Sequence, residues 1–347
     1  MSRAQLTSTV EQNTGGAVPP FVAGKNAVIN GSMELAQRGT SFTSTTNIYT
    51  LDRWQATRYG TAGGTVSQQV ATDATYLPQI KYCARIANNS GATSVGTYFV
   101  TSLESLESQR FAGQTATFSF YARKGALYSG SNTITANIIG GTGTDQNILS
   151  GFTGQATQFT TSPATLSTNW QRFTVTGAVG SSITQLAIVF IAYGSGTAGA
   201  TDYVEITGVQ LELGSVATPF SRAAGTLQGE LALCQRYYQR VNNNPSGYGG
   251  YGLGSASTTT NVRIDYFFPV QMRTLPSAID YSTLSSTYAV FDGQNLLIPT
   301  AITYNSNESY VNQIHLDLTV SGAVQFRPYK GIFQGSSSGY LGFSAEL

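Results

Sequence analysis

Ala116-Thr117-Phe118-Ser119-Phe120-Tyr121-Ala122 puts Thr117, Ser119 and Tyr121 on one face and Phe118 and Phe120 on the other. Successive side chains of an extended chain point to opposite sides, so a period of two marks a strand with one apolar face. Reading outward, Thr133-Ile134-Thr135-Ala136-Asn137-Ile138 and Trp170-Gln171-Arg172-Phe173-Thr174-Val175-Thr176 alternate in the same way. Tyr203 to Glu212 alternates over ten residues, and Leu186-Ala187-Ile188-Val189-Phe190-Ile191 is a continuous apolar run. A run of that kind suits a strand buried on both faces. Glycine and asparagine clusters separate these segments, as turns require. Many short strands with turns between them predict a two-sheet sandwich over residues 25–222.

Composition points the same way. Of 347 residues only 10% are charged, against the usual quarter, while 41% are hydrophobic, with 20 Tyr and 17 Phe. Thr, Tyr, Phe, Val and Ile fit a pleated, half-buried surface. The formal net charge is +1, from 18 basic and 17 acidic residues. That balance provides no field to draw in nucleic acid or an anionic membrane. No stretch approaches the roughly 20 apolar residues that span a bilayer. Met1 to Pro20 is polar and lacks an apolar signal region, so the expectation is synthesis in a host cytoplasm without secretion. Residues 1–24 read as an arm, either flexible or ordered only against a partner. Cys83 and Cys234 are expected to be buried free thiols.

After the sandwich, the stripe Leu227, Leu231, Cys234 and Tyr238 predicts one helix over about Leu227 to Arg240. Thr226 stands as its N-cap, and Asn242-Asn243-Asn244-Pro245 stops it. Residues 223–245 are therefore the expected linking helix. Strand patterns resume in 246–347, as in Ile314-His315-Leu316-Asp317-Leu318-Thr319-Val320. The predicted fold class is all-β: a jelly-roll β-sandwich, a short helix, then a second, smaller β domain. A short helical turn is expected between Ser102 and Arg110.

Several blocks resemble one family together. They are Lys25-Asn26-Ala27-Val28-Ile29-Asn30-Gly31-Ser32-Met33-Glu34, Gln37-Arg38-Gly39-Thr40, Asp52-Arg53-Trp54, Val209-Gln210-Leu211-Glu212-Leu213-Gly214, Ala217-Thr218-Pro219-Phe220 and Glu230-Leu231-Ala232-Leu233-Cys234-Gln235-Arg236-Tyr237-Tyr238. With Met272-Arg273, Leu275-Pro276 and the final Ala345-Glu346-Leu347, their order resembles phage tail-fibre and related virion surface proteins. The resemblance implies a first domain similar to the jelly-roll sandwiches of carbohydrate-binding modules, and a homotrimer. It also implies docking onto other virion proteins through the arm, and contact with host cell-surface glycan. The alternative is a capsid-decorating fibre or tail adaptor without a receptor, and after it a polysaccharide depolymerase. Such sandwiches often hold a structural calcium through a Glu in Asn-Gly-x-x-Glu and an Asp just before Val-x-Leu. Glu34 fits the first position, but Thr207-Gly208 precedes Val209 where the Asp would stand. The expectation is no cofactor, with Glu34 and Asp202 as ligands only if a calcium is present.

No catalytic residue is assigned. His315 is the single histidine and sits on a strand, facing away from Leu316, where it reads as a polar strand residue or an interface histidine. The 17 acids show no clustering, and Asp52-Arg53 and Asp265 near Arg263 read as structural ion pairs or capped turns. Gly140-Gly141-Thr142-Gly143 leads into neither a lysine nor a helix, so it is a turn and not a phosphate loop. Flat aromatic side chains remain as candidates for stacking on sugar rings. Trp54 and Trp170 lie in strand patterns and are expected in the core. Tyr59 and Tyr193, beside glycine-rich turns, and Tyr248 and Tyr251, in the Gly-Tyr stretch, are the expected carbohydrate contacts.

Overall fold

The computed structural model describes residues 23–347 apart from 45, 60–63, 72, 74–76, 78, 90, 92–95, 195–198, 200, 244–247, 285–286 and 336–337, and without the side chains of 44, 59, 162 and 163. The arm, except its last two residues, lies outside the described part. The chain divides into two compact units that part between Leu231 and Ala232. Among the described residues no helix is long and apolar enough to cross a membrane.

The first unit is a sandwich of two antiparallel six-stranded sheets. The first sheet has the order β1 (Ser41–Ser44), β4 (Gly64–Val70), β5 (Tyr82–Asn88), β12 (Tyr203–Leu213), β7 (Thr115–Lys124), β10 (Gln171–Ala178). The second has the order β2 (Ile48–Tyr49), β3 (Gln55–Tyr59), β6 (Gly96–Ser102), β11 (Gln185–Tyr193), β8 (Thr133–Gly141), β9 (Ala156–Thr165). Phe118 and Phe120 of β7 face Phe190 of β11 across the core, with ring centroids 6.0 and 4.9 Å apart. Trp54 is fully buried and stacks on Phe99 at 4.7 Å. A helical turn, Ser105–Ser108, followed by a 3-10 turn, Gln109–Phe111, interrupts the strands where one was expected.

The run 186–191 is buried on both faces because two layers cover it. Leu186, Ile188 and Phe190 join the central core. Ala187 and Val189 form an outer cluster with Val100, Ile139, Ile148 and Phe152. Ile148 and Phe152 belong to the loop over that end of the sheet. β12 departs from plain alternation. A bulge between Thr207 and Gln210, with Gly208 at φ +58, resets its phase. A left-handed residue there suits glycine. Glu205, Thr207, Gln210 and Glu212 are buried, although they point away from the core.

Several of the blocks carrying the family resemblance are latches of this unit. Asn26 donates through Nδ2 to the carbonyls of Val209 and Ser221 and accepts through Oδ1 from the N–H groups of Val28 and Leu211. Asn30 bonds Leu35 and the carbonyl of Asp52, and its own carbonyl accepts the Trp54 indole N–H at 3.2 Å. Glu212 accepts from the N–H and hydroxyl of Thr218 at 2.9 and 2.6 Å. Glu230 accepts from the N–H groups of Asn30 and Ala224, and burial pushes its carboxyl above the ordinary range.

The linking helix runs Leu227–Gln235, not to Arg240. Thr226 caps it by accepting from the Gly229 N–H at 3.1 Å. Tyr238–Asn242 is instead a strand paired with Tyr340–Ser344, so the second unit begins at Ala232 and the expected linker is partly its sheet. That unit, Ala232–Glu346, holds a three-stranded and a seven-stranded antiparallel sheet over one core. Cys83 and Cys234 are both buried and neither is in a disulfide.

Candidate functional site

The second sheet of the sandwich brings two of the four tyrosines named above to one place. Gly96 of β6 pairs with Tyr59 on β3 and with Tyr193 on β11. The backbone therefore sets Tyr59 and Tyr193 on either side of Gly96, with Tyr193 on the outer face; the Tyr59 side chain lies outside the described part. The Tyr193 ring lies over the glycine. A Cβ at Gly96 would stand 3.1 Å from Cδ1 and 3.2 Å from Cε1. The ring remains 52% exposed.

The next row across this face is Thr57, Tyr98, Ile191 and Thr135, and the one beyond it Gln55, Val100, Val189 and Asn137. Tyr98 is half-buried and packs against the outer cluster. It stands diagonally from Tyr193, roughly 7 Å away at the usual spacing of such pairs. Thr160 donates to Asn137 at 2.6 Å. Among the described residues, the outward-facing side chains of β3, β6, β11 and β8 include no carboxylate, amine, guanidinium or imidazole. Arg38 lies only at the edge, 5.0 Å from the Tyr49 ring. The loop 145–152 covers one half of the face, through Ile148, Leu149 and Phe152. The other half is open, with one aromatic ring seated on backbone and amides and hydroxyls around it.

Sequence reading missed Tyr98, Thr57, Thr135 and Asn137. Each sits in an ordinary strand pattern, and only the register places them side by side.

The other two tyrosines lie in the second unit. Tyr248 is 68% exposed, as a carbohydrate contact requires. Tyr251 is not available: it is 4% exposed, against Phe333 at 5.2 Å and Tyr288 at 6.0 Å. Gly250–Thr258 is the central strand of the seven, and Gly331 lets the ring press on a neighbouring strand; a Cβ there would meet Cε2 at 2.5 Å. Burial pushes the Tyr251 phenol strongly upward. An open groove of about 690 Å³ runs along Tyr281, Ser282, Thr283, Leu284, Ile298, Pro299 and Thr300.

The remaining candidates have structural partners. Trp54 and Trp170 are buried as expected. His315 bonds Asp265 on the neighbouring strand, while Arg263 pairs with Glu308 and Asp317. Asp265 thus pairs across the sheet and not with Arg263. Glu34 gives both oxygens to Arg222, at 2.7 and 2.8 Å, and the ion pair raises the Arg222 guanidinium further. Asp202, buried, accepts from Asn88 and Ser129. It stands five residues along β12 from Thr207, whose hydroxyl reaches the Ser32 carbonyl beside Glu34. At strand rise that is roughly 16 Å, so Glu34 and Asp202 do not share a cation. Among the described residues no group of three His, Cys, Asp or Glu could hold a metal.

The geometry defines a β-sandwich with an uncharged, partly open aromatic face. No family model matches the chain, and no curated protein matches it. Solved structures similar to part of it include the enzymatically active domain of bacteriophage CBA120 tailspike protein 4. That likeness has 13% identity and a TM-score of 0.37, and covers 56% of this chain and 22% of that one. A family 4 carbohydrate-binding module is similar at 16% identity and TM-score 0.32, over 54% of this chain and all of that one. A family 61 module, solved with β-1,4-galactotriose, is similar at 12% identity and TM-score 0.32, over 55% of this chain and 99% of that one.

Proposed function

We propose that the sandwich binds a neutral saccharide chain across the open half of its second sheet, and that the protein is a non-catalytic virion surface subunit. The observation that carries the binding reading is the Tyr193 ring, seated on Gly96 and open to solvent on a charge-free face. Sugar rings offer apolar C–H faces that stack on such a ring, while Thr57, Thr135 and Asn137 suit the hydroxyls. A face without ions also has no charge to desolvate when a neutral ligand lands. Glycoside hydrolysis needs two carboxylates flanking the bond, and this face offers none among the described residues.

The ordered sequence blocks support the virion assignment: a homotrimeric tail fibre or spike whose arm docks on other virion proteins and whose body meets host surface glycan. Weak single sites would gain avidity from several copies. The test titrates neutral oligosaccharides cut from the host surface polysaccharide into the full chain, following tyrosine fluorescence. Saturable binding that Tyr193→Ala weakens, together with competition by the free protein against particle adsorption, is the expected result. No binding by any fragment and unchanged adsorption would leave a purely structural virion part. Release of reducing ends would reveal a depolymerase.

A further inference from the structure

The first sheet carries a second feature, independent of the tyrosine face. Ser67, Arg85, Glu205 and Arg123 form one row across β4, β5, β12 and β7, all on the outer side. Glu205 is fully buried. Its Oε1 accepts from Arg85 Nε and Nη2 at 2.8 and 2.6 Å, and its Oε2 accepts from Arg123 Nε at 2.5 Å. Two guanidiniums share one carboxylate, so the row keeps one net positive charge. Each guanidinium is also braced by a ring: Arg85 lies 4.0 Å from the Tyr203 centroid and Arg123 4.8 Å from that of Trp170. Their side chains are still 30% and 26% exposed. Among the described residues, Arg85 Nη1 and both Nη atoms of Arg123 have no hydrogen-bond partner.

Stability alone does not explain this arrangement. A buried carboxylate must be taken out of water, and such clusters are often no better than apolar residues of the same volume. What the row achieves is two forked donors held by a carboxylate on one edge and a ring on one face, with the other edges open. Arginine presented in that way matches a planar carboxylate in two-point contact.

We propose that this row is a binding site for the carboxylate of an acidic sugar, separate from the neutral-glycan face. The incoming carboxylate takes the open edges of Arg85 and Arg123 and neutralises the residual charge. Holding the donors in place beforehand lowers the ordering cost of binding.

The test uses the full chain and a trisaccharide of galacturonic acid, with its carboxyl-reduced, neutral counterpart and free acetate as comparisons. The acid should bind about tenfold more tightly than the reduced form in dilute buffer, as one charge-assisted contact allows. That advantage should fade on raising salt to about 0.5 M. Arg123→Lys and Arg85→Lys keep the charge beside Glu205 but lose the fork. Each should remove most of the preference and leave the thermal transition near that of the parent. Tyr193→Ala should leave it intact, so failure here and failure of the neutral-glycan reading are distinguishable. Equal binding of acid and reduced forms, or no binding of either, overturns the proposal. So does acetate binding as tightly as the trisaccharide, or full preference in both lysine variants. The comparison of acid with reduced sugar needs no variant, so it stands even where a substitution fails to fold.

Discussion

The two outer faces of the sandwich solve the same problem in opposite ways. Each sheet must cover the side turned away from the core. The first covers it with ions and chain: Glu205 between two arginines, and Glu212 tied to Thr218. Trp170, Cys83 and Phe220 form a small outer core there. Lys25, 3.7 Å from Glu212, has its ammonium lowered by burial despite that partner. Among the described residues, the outward side chains of β3, β6, β11 and β8 in the second sheet carry no ion. One half is closed by Ile148 and Phe152, and the other is left with hydroxyls, amides and tyrosine rings. The lesson is that polarity on a face is not a sign of contact with solvent. The charged face is the more covered, open to a ligand only at the edges of Arg85 and Arg123, while the neutral one is open over half its breadth.

The hardest blow to that contrast would fall on Glu205. Replacing it by alanine removes the carboxylate that Arg85 and Arg123 share and leaves two facing cations. Breaking a buried pair costs about 3–5 kcal/mol. Both arginines are partly exposed, so about 3 kcal/mol is expected here. Chemical denaturation followed by near-ultraviolet circular dichroism measures it. A loss below about 1 kcal/mol would show that the row is a surface ion pair, worth little. Neutral-saccharide binding on the opposite sheet should be unchanged in this variant.

The tyrosines sharpen the comparison from the other side. Tyr193→Ala should weaken neutral-glycan binding about tenfold, at the upper end of what a stacked aromatic contributes. Stability should move by less than about 0.5 kcal/mol, as for an exposed side chain. Tyr98→Ala should weaken binding comparably and also cost about 1 kcal/mol of stability, because its ring packs on the outer cluster. Calorimetry and denaturation on the same samples separate the two. Equal stability losses from both would mean that Tyr193 is a packing residue.

Much of this division was not legible in the sequence. The strands were, because Phe118, Phe120, Ile134, Ile138, Leu186 and Phe190 keep the period of a buried face, and all lie in the core. The helix stop was misplaced: Tyr238 continues the stripe from Leu227 and Leu231, and a periodic pattern cannot tell the last helical turn from a strand entering a sheet. Tyr251 looked like a loop residue between glycines. Those glycines instead allow close packing, as Gly331 shows against its ring. Arg85 and Arg123 lie 120 and 82 positions from Glu205, so no local pattern couples them. The partner of Glu34 is hidden in the sequence for a similar reason. Arg222, 188 positions away, is what Glu34 holds. Tyr59 and Tyr193 stand out in the sequence because both flank glycine-rich turns, but that both pair with Gly96 is a fact of register.

Gly96 gives a subtler test. A methyl group there would sit 3.1 Å from the Tyr193 ring, closer than ordinary contact, so the ring must tilt off the sheet. Gly96→Ala should reduce neutral-glycan binding about threefold, a fraction of the loss on deleting the ring. The cost in stability should be about 1 kcal/mol at most, since an exposed side chain can move aside. Unchanged affinity would mean that the seat beneath the ring is irrelevant and that Tyr193 acts from several positions.

The smallest expected effect is the absence of one. Among the described residues, the outward side chains of β3, β6, β11 and β8 include no carboxylate, imidazole, amine or guanidinium. His315 is held by Asp265 in the second unit, and the buried acids Glu205 and Glu212 belong to the first sheet. Nothing on the tyrosine face therefore changes charge between about pH 5 and about pH 8, where only imidazole-like groups ordinarily titrate. Affinity for a neutral oligosaccharide should stay within about twofold over that range, measured by calorimetry in buffers of matched ionic strength. A galacturonate trisaccharide offered to the arginine row should behave differently below about pH 4, where its own carboxyl takes up a proton and the attraction fails. A bell-shaped or stepped profile for the neutral sugar would mean that an ionisable group reaches its site, and the contrast between the two faces would no longer hold.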